Sequence, residues 1–346
     1  MAMPPRLTIA IPTLNRARLL RRALESALAQ TSQEVEILVS DNGSRDETPA
    51  VIAEYAARSG VRTFRHESTL DADRHGQFLI DQARGSFFVG LSDDDFLGPD
   101  FAAEVLDLWD RHPELSFIYT GAMVHYCDII VPSLTGPEVE SSADFLLAYY
   151  AGKREVTWCA CATRVEMLKR FGPMPAGFVL GDMFYWTKMA FAGPVGCIPI
   201  PLSHYVLLRP QDENDNMSHG TRPLVWSRQQ QEIADGVLDA SARAGAGAAY
   251  LKQLANDCRI HRARSTANQF VWTRIRGAGC WQSLTELVKC ASSLSWNLLA
   301  WSRALTALLL PAGMLRFLLM RAAAQLARTR ANNRKEIAMP RTAHAT

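Results

Sequence analysis

Three consecutive carboxylates, Asp93-Asp94-Asp95, follow the apolar run Ser86-Phe87-Phe88-Val89-Gly90-Leu91 and Ser92. Like charges this close raise one another's pKa, and a divalent cation relieves the repulsion. Hard Mg²⁺ or Mn²⁺ takes oxygen ligands, commonly one or two carboxylates together with substrate phosphates. The plainer reading of the triplet is an acidic turn capping a helix that starts near Pro99. Its position directly after an apolar strand favours the ligand reading. Upstream, Asp41-Asn42-Gly43-Ser44-Arg45-Asp46 is a turn sequence, in which Asp and Asn suit turn geometry and Gly supplies positive φ. It is either an ordinary strand-to-helix loop or a loop from which Asp41 accepts a hydrogen bond from a nucleotide.

The elements that must position these residues are legible from periodicity. Residues 7–11 form a short apolar, β-branched strand stopped by Pro12, and 36–40 and 61–66 read as further strands, as does 86–91. Helical spacing covers 19–30, 48–59 and 76–83, with Thr48 as a candidate N-cap and Pro49 at the first helical position. This βαβαβαβ rhythm predicts a parallel, doubly wound sheet. Ligands of such sheets sit beyond the carboxyl ends of the strands. Pro12 to Arg16, Asp41 to Ser44 and the acidic triplet all follow strands, so they are expected at one edge. No GxGxxG follows the first strand, which disfavours a dinucleotide-binding dehydrogenase. Farther on, 144–150, 183–192 and 229–245 read as helices, and 158–162 as a strand crossing under an acceptor cleft.

Four pieces together carry a resemblance: Pro12-Thr13-Leu14-Asn15-Arg16, Ser40-Asp41-Asn42-Gly43-Ser44-Arg45-Asp46, Ala83-Arg84-Gly85-Ser86, and Ser92-Asp93-Asp94-Asp95 with Pro99 beyond. In order and spacing they resemble the family-2 glycosyltransferase pattern over roughly residues 6–220. The resemblance implies an α/β fold of GT-A type: a Rossmann-like, mostly parallel sheet with flanking helices. It also implies a nucleotide-sugar donor with UDP as the favoured carrier (dTDP and GDP remaining open), Mn²⁺ or Mg²⁺, and inversion at the anomeric carbon. By the same resemblance Pro12, Thr13, Asn15, Arg16, Asp41, Asn42 and Asp93 fall at nucleotide-sugar positions, and Asp94 and Asp95 at metal positions. Ser92 stands where many members have an acid, which leaves open which of the three aspartates meets metal and which meets sugar. Leu70-Asp71-Ala72-Asp73 also departs from the family pattern, so the sugar itself stays open.

Inversion needs a base that deprotonates the acceptor hydroxyl. Asp182, at the start of the helix Gly181-Asp182-Met183, fits the family's position, although Gly181 replaces the usual Glu. A helix N-terminus favours the ionised carboxylate there. Asp144 is a weaker rival. Arg209 to His219 resembles a loop closing over the donor, with His219, ahead of His204, as a further metal or diphosphate contact. Of Tyr149, Tyr150, Trp158, Tyr185 and Trp186, one or two are expected at the acceptor cleft and the rest in the core.

The chain has 346 residues and is 48% apolar, with a formal net charge of +2 that hides a split. Residues 1–251 hold 22 basic and 32 acidic side chains, whereas 252–346 hold 15 basic and 3 acidic. Such asymmetry points to different surroundings for the two parts. Seven cysteines without a CxxC pair suit reduced thiols rather than zinc or disulfides, and Met1 to Arg6 lacks the apolar core of a secretory signal.

The expected division is a catalytic domain at 1–225 (donor half 1–100, acceptor half 101–225), a helical basic extension at 226–335 and a disordered tail at 336–346. Charge-free stretches at 291–302 and 304–315 are too short to span a bilayer but suit an interfacial helix at an anionic leaflet. Packing of these helices on protein is the alternative. Nucleic acid is not expected, for want of a binding motif. The expected setting is the cytoplasmic face of a membrane. There a hexosyl- or deoxyhexosyltransferase would serve a glycan or polyprenyl-linked acceptor in bacterial surface polysaccharide synthesis. A non-catalytic nucleotide-sugar-binding scaffold is the rival reading. A sugar nucleotidyltransferase is disfavoured, since Pro12 to Arg16 is not the Gly-rich loop it needs.

Overall fold

The computed structural model describes residues 4–58, 60–208, 223–275, 279–294 and 297–338. Strand β1 (Leu7–Thr13) shows why the sheet is two-faced. Leu7, Ile9 and Ile11 are buried in one apolar cluster, and Ala10 belongs to the cluster on the other face, as period-two alternation requires. The order then runs α1 (Ala17–Leu28), β2 (Val35–Asp41), α2 (Thr48–Ala56), β3 (Val61–Arg65), α3 (Ala72–Gln82) and β4 (Phe87–Gly90). These strands lie β3-β2-β1-β4, all parallel.

The sheet continues through the second half. Next come β5 (Phe96–Leu97), α4 (Phe101–Arg111), β6 (Phe117–Tyr126), β7 (Ile129–Pro132), β8 (Val139–Glu140) and α5 (Ser142–Tyr150). A 3-10 turn (Trp158–Ala160) leads into β9 (Cys161–Arg164), α6 (Val165–Phe171), α7 (Gly181–Met189) and β10 (Val195–Leu208). β9 lies antiparallel between β4 and β6, β10 runs parallel to β6, and the short strands β5, β7 and β8 pair antiparallel. The expected strand at 158–162 is thus a turn followed by a strand displaced to 161–164.

Two local expectations need correction. Pro12 does not stop β1, which pairs with β2 as far as Thr13 and Asp41. Its partner on the other side, β4, pairs only as far as Gly90 opposite Ala10, so no β4 ladder bond is lost for lack of a proline N–H. Thr48 is the first residue of α2 rather than its cap; its Oγ1 instead accepts from Arg16 N at 3.0 Å, tying the starts of two helices together.

The Ala83 to Ser86 stretch works at the opposite edge from the acidic triplet. Gly85 N donates to Thr8 Oγ1 at 3.0 Å, and Arg84 N and Thr8 Oγ1 both donate to the buried Glu36 carboxylate. A Cβ on Gly85 would lie 2.8 Å from the backbone of Arg6 and Thr8, so only glycine fits against β1.

Helices α8 (Pro223–Arg243) and α9 (Ala248–Ile275) complete one face of the sheet, with Ile233, Val237 and Leu254 in its apolar cluster. The packing therefore continues across residue 225. Three further helices, α10 (Cys280–Leu294), α11 (Leu298–Leu309) and α12 (Ala312–Ala338), share a separate small core with the end of α9. α12 returns to the sheet, where Arg330 binds both oxygens of Glu155 at 2.8 Å and Pro132 O at 2.6 Å. It runs as far as Ala338. Among the described residues, no helix is long and apolar enough to cross a membrane.

Candidate active site

The loops after β1, β2 and β4 meet at the carboxyl edge of the sheet. Thr13 ends β1, and its Oγ1 donates to Asp93 Oδ2 at 2.8 Å. Asn15 takes φ +54°, which Asn tolerates, and this turns the loop onto the β2 loop. Asn15 N donates to Ser44 Oγ at 2.8 Å, and Arg45 N donates to Asn15 Oδ1 at 2.7 Å. Gly43 supplies the positive φ its turn requires.

Arg16 then reaches the triplet. One guanidinium nitrogen lies 2.9 Å from Asp93 Oδ1 and 3.1 Å from Asp94 Oδ2. Both aspartates are buried. Charge-assisted pairs of this kind offset the cost of removing carboxylates from water. Asp95 is bound elsewhere: its Oδ1 accepts from Val206 N at 2.8 Å, and the Cys159 thiol donates to its carboxylate. Burial pushes the Asp95 carboxyl up to about 7. Asp95 is thus held by Val206 N, while Asp93 and Asp94 share the Arg16 guanidinium. Among the described residues no third His, Cys, Asp or Glu joins them; His219 lies outside those residues.

Asp41 is almost wholly buried. Its Oδ1 accepts from Ser44 N at 2.8 Å, which fixes the turn. Its Oδ2 has no hydrogen-bond partner among the described residues, although Arg65 Nε stands 3.4 Å away. A buried carboxylate oxygen left unbonded is costly, and a ligand N–H or O–H would satisfy it. The Asn42 amide both donates to Leu70 O and accepts from Leu70 N, holding the loop before α3.

Asp182 sits in the first turn of α7, partly buried, with Oδ1 accepting from Met183 N at 2.6 Å. The helix amides stabilise its charge, as anticipated, but burial is the larger influence and lifts the carboxyl to about 6. At Gly181, in place of the family's Glu, a Cβ would meet only the flexible end of the Met174 side chain. Asp144 is an exposed capping-turn residue that accepts from the Ser141 hydroxyl. His204 stacks on Phe96 at 4.1 Å and meets His125 at 3.0 Å, and burial holds its pKa down to about 4.

Arg22, Tyr205 and Gly90 escaped sequence reasoning. Arg22 donates to Asp94 O at 2.8 Å and covers the Phe96 ring. Tyr205 on β10 feels the charges of both Asp95 and Asp182, which puts its phenol in the field of both. Trp158 lies over Gly90, where any Cβ would strike the indole, with Tyr185 at 6.0 Å. A glycine inside an apolar strand was the available signal for that close approach. Tyr149, Tyr150 and Trp186 are core residues; Trp158 is only partly buried.

Residues 8–128 match the Glycosyl transferase family 2 model. The chain is 30% identical over 116 residues to chondroitin synthase of Escherichia coli, covering 34% of this chain and 17% of that one. It is 26% identical over 157 residues to the GalNAc(5)-diNAcBac-PP-undecaprenol beta-1,3-glucosyltransferase of Campylobacter jejuni, covering 43% and 50%. The chain thus spans at most half the length of these curated relatives. In fold it is similar to S. aureus TarS 1-349 in complex with UDP, with TM-score 0.61 and 14% identity over 94% of this chain and 91% of that one. It is also similar to the mannosyltransferase PcManGT from Pyrobaculum calidifontis in complex with GDP-Man and Mn²⁺, with TM-score 0.52 and 17% identity over 88% and 86%. Residues 8–128 thus carry the match to glycosyl transferase family 2, and the sheet that holds them is similar in fold to glycosyltransferases of GT-A type.

Proposed function

We propose that the protein is an inverting glycosyltransferase that moves a hexosyl or deoxyhexosyl group from a nucleoside diphosphate donor, UDP being the favoured carrier, to a glycan or polyprenyl-linked acceptor. The carrying observation is the convergence of Thr13, Arg16, Asp93 and Asp94 at the sheet edge where Asp41 keeps an unbonded carboxylate oxygen. In this reading Asp41 Oδ2 accepts an N–H of the base or a ribose hydroxyl. Pro12, Asn15 and Asn42 shape the loops that hold the nucleotide.

The donor set suits a hard divalent cation. Asp93 and Asp94 present carboxylate oxygens to one positive centre, now the Arg16 guanidinium, and donor phosphates supply further oxygens. Asp94, with Asp93 beside it, would hold Mn²⁺ or Mg²⁺. Bound there, the ion would neutralise charge developing on the leaving diphosphate. Arg16 then turns to the phosphates, for which a guanidinium is well shaped. Asp95 anchors the triplet to β10 at Val206.

Asp182 takes the acceptor hydroxyl's proton as that oxygen attacks the anomeric carbon. A carboxyl poised at about 6 is ionised at neutral pH yet basic enough to accept a proton. Trp158, only partly buried, offers aromatic surface for a sugar ring, with the buried Tyr185 behind it. Bacterial surface polysaccharide synthesis at the inner face of the cell membrane is the setting that the undecaprenol-linked substrate in one relative's name supports. A nucleotide-sugar-binding scaffold is the second reading, kept by Gly181 and Ser92 at positions the family fills with acids.

Calorimetry against UDP, dTDP, GDP and CDP, each with and without Mn²⁺, tests the proposal. Metal-dependent binding of one nucleotide, lost in Asp94→Ala, is expected. A folded protein that binds none of the four overturns it. Donor hydrolysis without acceptor separates the enzyme from the scaffold.

A further inference from the structure

Helix α11 is inside out for a helix in water. Ala300, Ala304 and Ala307 are wholly buried, whereas Leu298 is 82% and Leu309 77% exposed. Leu298, Leu305 and Leu309 recur at i, i+7 and i+11, so they stand on one face. α10 does the same with Trp281, 81% exposed, and Val288, 69% exposed, which are also seven apart. α12 exposes Met314, Phe317 and Leu318. The alanines let α11 pack closely on its neighbours. Turning the leucines inward instead would have buried more apolar area, so the outer faces are made to meet something apolar.

Charge selects the occupant. Between residues 258 and 331 the sequence holds one acidic side chain, Glu286, and it is buried with Lys289 at 3.3 Å. Lys289, Arg303, Arg321 and Arg328 are exposed on the same helices. On α12, Arg321 and Arg328 share the face of Met314 and Phe317, so a second copy docked there would meet a surface of the same sign. An anionic bilayer offers apolar depth and negative headgroups together. We propose that α10, α11 and α12 lie in the plane of an anionic membrane interface, with Trp281, Leu298, Leu309 and Phe317 as apolar anchors and the basic side chains at headgroup level.

The test is flotation of the full chain with vesicles of phosphatidylcholine alone or mixed with phosphatidylglycerol, at low and high salt. Binding to the mixed vesicles that weakens with salt is expected. Leu298→Ser/Leu309→Ser/Phe317→Ser should lower the bound fraction about tenfold or more. Arg303→Glu/Arg321→Glu should abolish the preference for phosphatidylglycerol. Circular dichroism confirms that each variant is folded. No flotation of the wild type, or equal flotation of the triple variant, overturns the proposal. So does a dimer in sedimentation velocity that the triple variant dissolves without any vesicle binding. Neither donor nor acceptor is present, so failure here leaves the transferase reading standing, and failure to bind nucleotide leaves this one standing.

Discussion

The carboxyl edge of the sheet and the three last helices depart from ordinary burial in opposite directions. At the edge, Asp41, Asp93, Asp94 and Asp95 are buried. On α10 to α12, leucine, tryptophan and phenylalanine face outward while alanines fill the core. Folding in water favours neither arrangement. In the proposed reading, one region stores charge for a cationic and phosphorylated ligand and the other holds apolar area out for a membrane. The two regions also differ in what stabilises them alone. The edge has Arg16, Thr13 and Val206 to satisfy its carboxylates, whereas nothing among the described residues covers the leucines.

The comparison breaks first at Asp94. Asp94→Ala should reduce sugar transfer by about a thousandfold or more while the sheet stays folded, measured by product formation at saturating donor. A loss confined to KM would mean that the buried charge only binds.

Asp182→Asn is the next largest, with kcat expected to fall about a hundredfold or more and donor affinity to hold. In the wild type the same group sets the pH profile. Its pKa is raised to about 6, so it takes up a proton as pH falls through that value, and kcat/KM should fall with it. A profile flat from pH 5 to 8 would remove Asp182 as the base.

Asp95→Asn sharpens the account of stored charge through stability. The Asp95 pKa rises from 3.8 to about 7 on folding, so the folded state favours the protonated form. Ionisation then costs stability, increasingly as pH rises between those two values and fully above them. Asn keeps an acceptor for Val206 N without the charge. In metal-free protein the variant should gain on the wild type across that window, by about 1–3 kcal/mol in urea unfolding. Buried imidazoles such as His75 titrate alike in both proteins and cancel in the difference. No gain would mean that the charged form is already compensated in the fold.

The smallest effect belongs to the other region. Leu298→Ser and Leu309→Ser should each change stability in water by no more than about 0.5 kcal/mol, whereas Leu24→Ala in the sheet core should cost about 2–5 kcal/mol. A large loss at Leu298 would show a partner surface within the chain.

Much of the first half was legible in the sequence because its signals are local. Period-two apolar runs, helical spacing and the turn Asp41-Asn42-Gly43 define β1 to β4 and place the loops at one edge through the parallel-sheet rule alone. Gly43 has its positive φ, and Asp182 opens its helix. Strand β9 was misplaced because Trp158 to Arg164 carries its meaning in long-range packing: the Trp158 indole lies over Gly90, and β9 pairs between strands remote in sequence.

Adjacency in the chain could not say which two of three neighbouring aspartates share the Arg16 guanidinium. That depends on Arg16, 77 residues from Asp93, and on Val206, 111 residues from Asp95. Likewise, the composition of residues 252–346 announced a basic, apolar surface. Only the packing of Ala300, Ala304 and Ala307 into the small core decided that the leucines face out. Residue types and their spacing determined the elements and the edge at which polar loops gather. Side-chain convergence and the choice of a buried face are many-body outcomes of packing, and they were decided only in the folded chain.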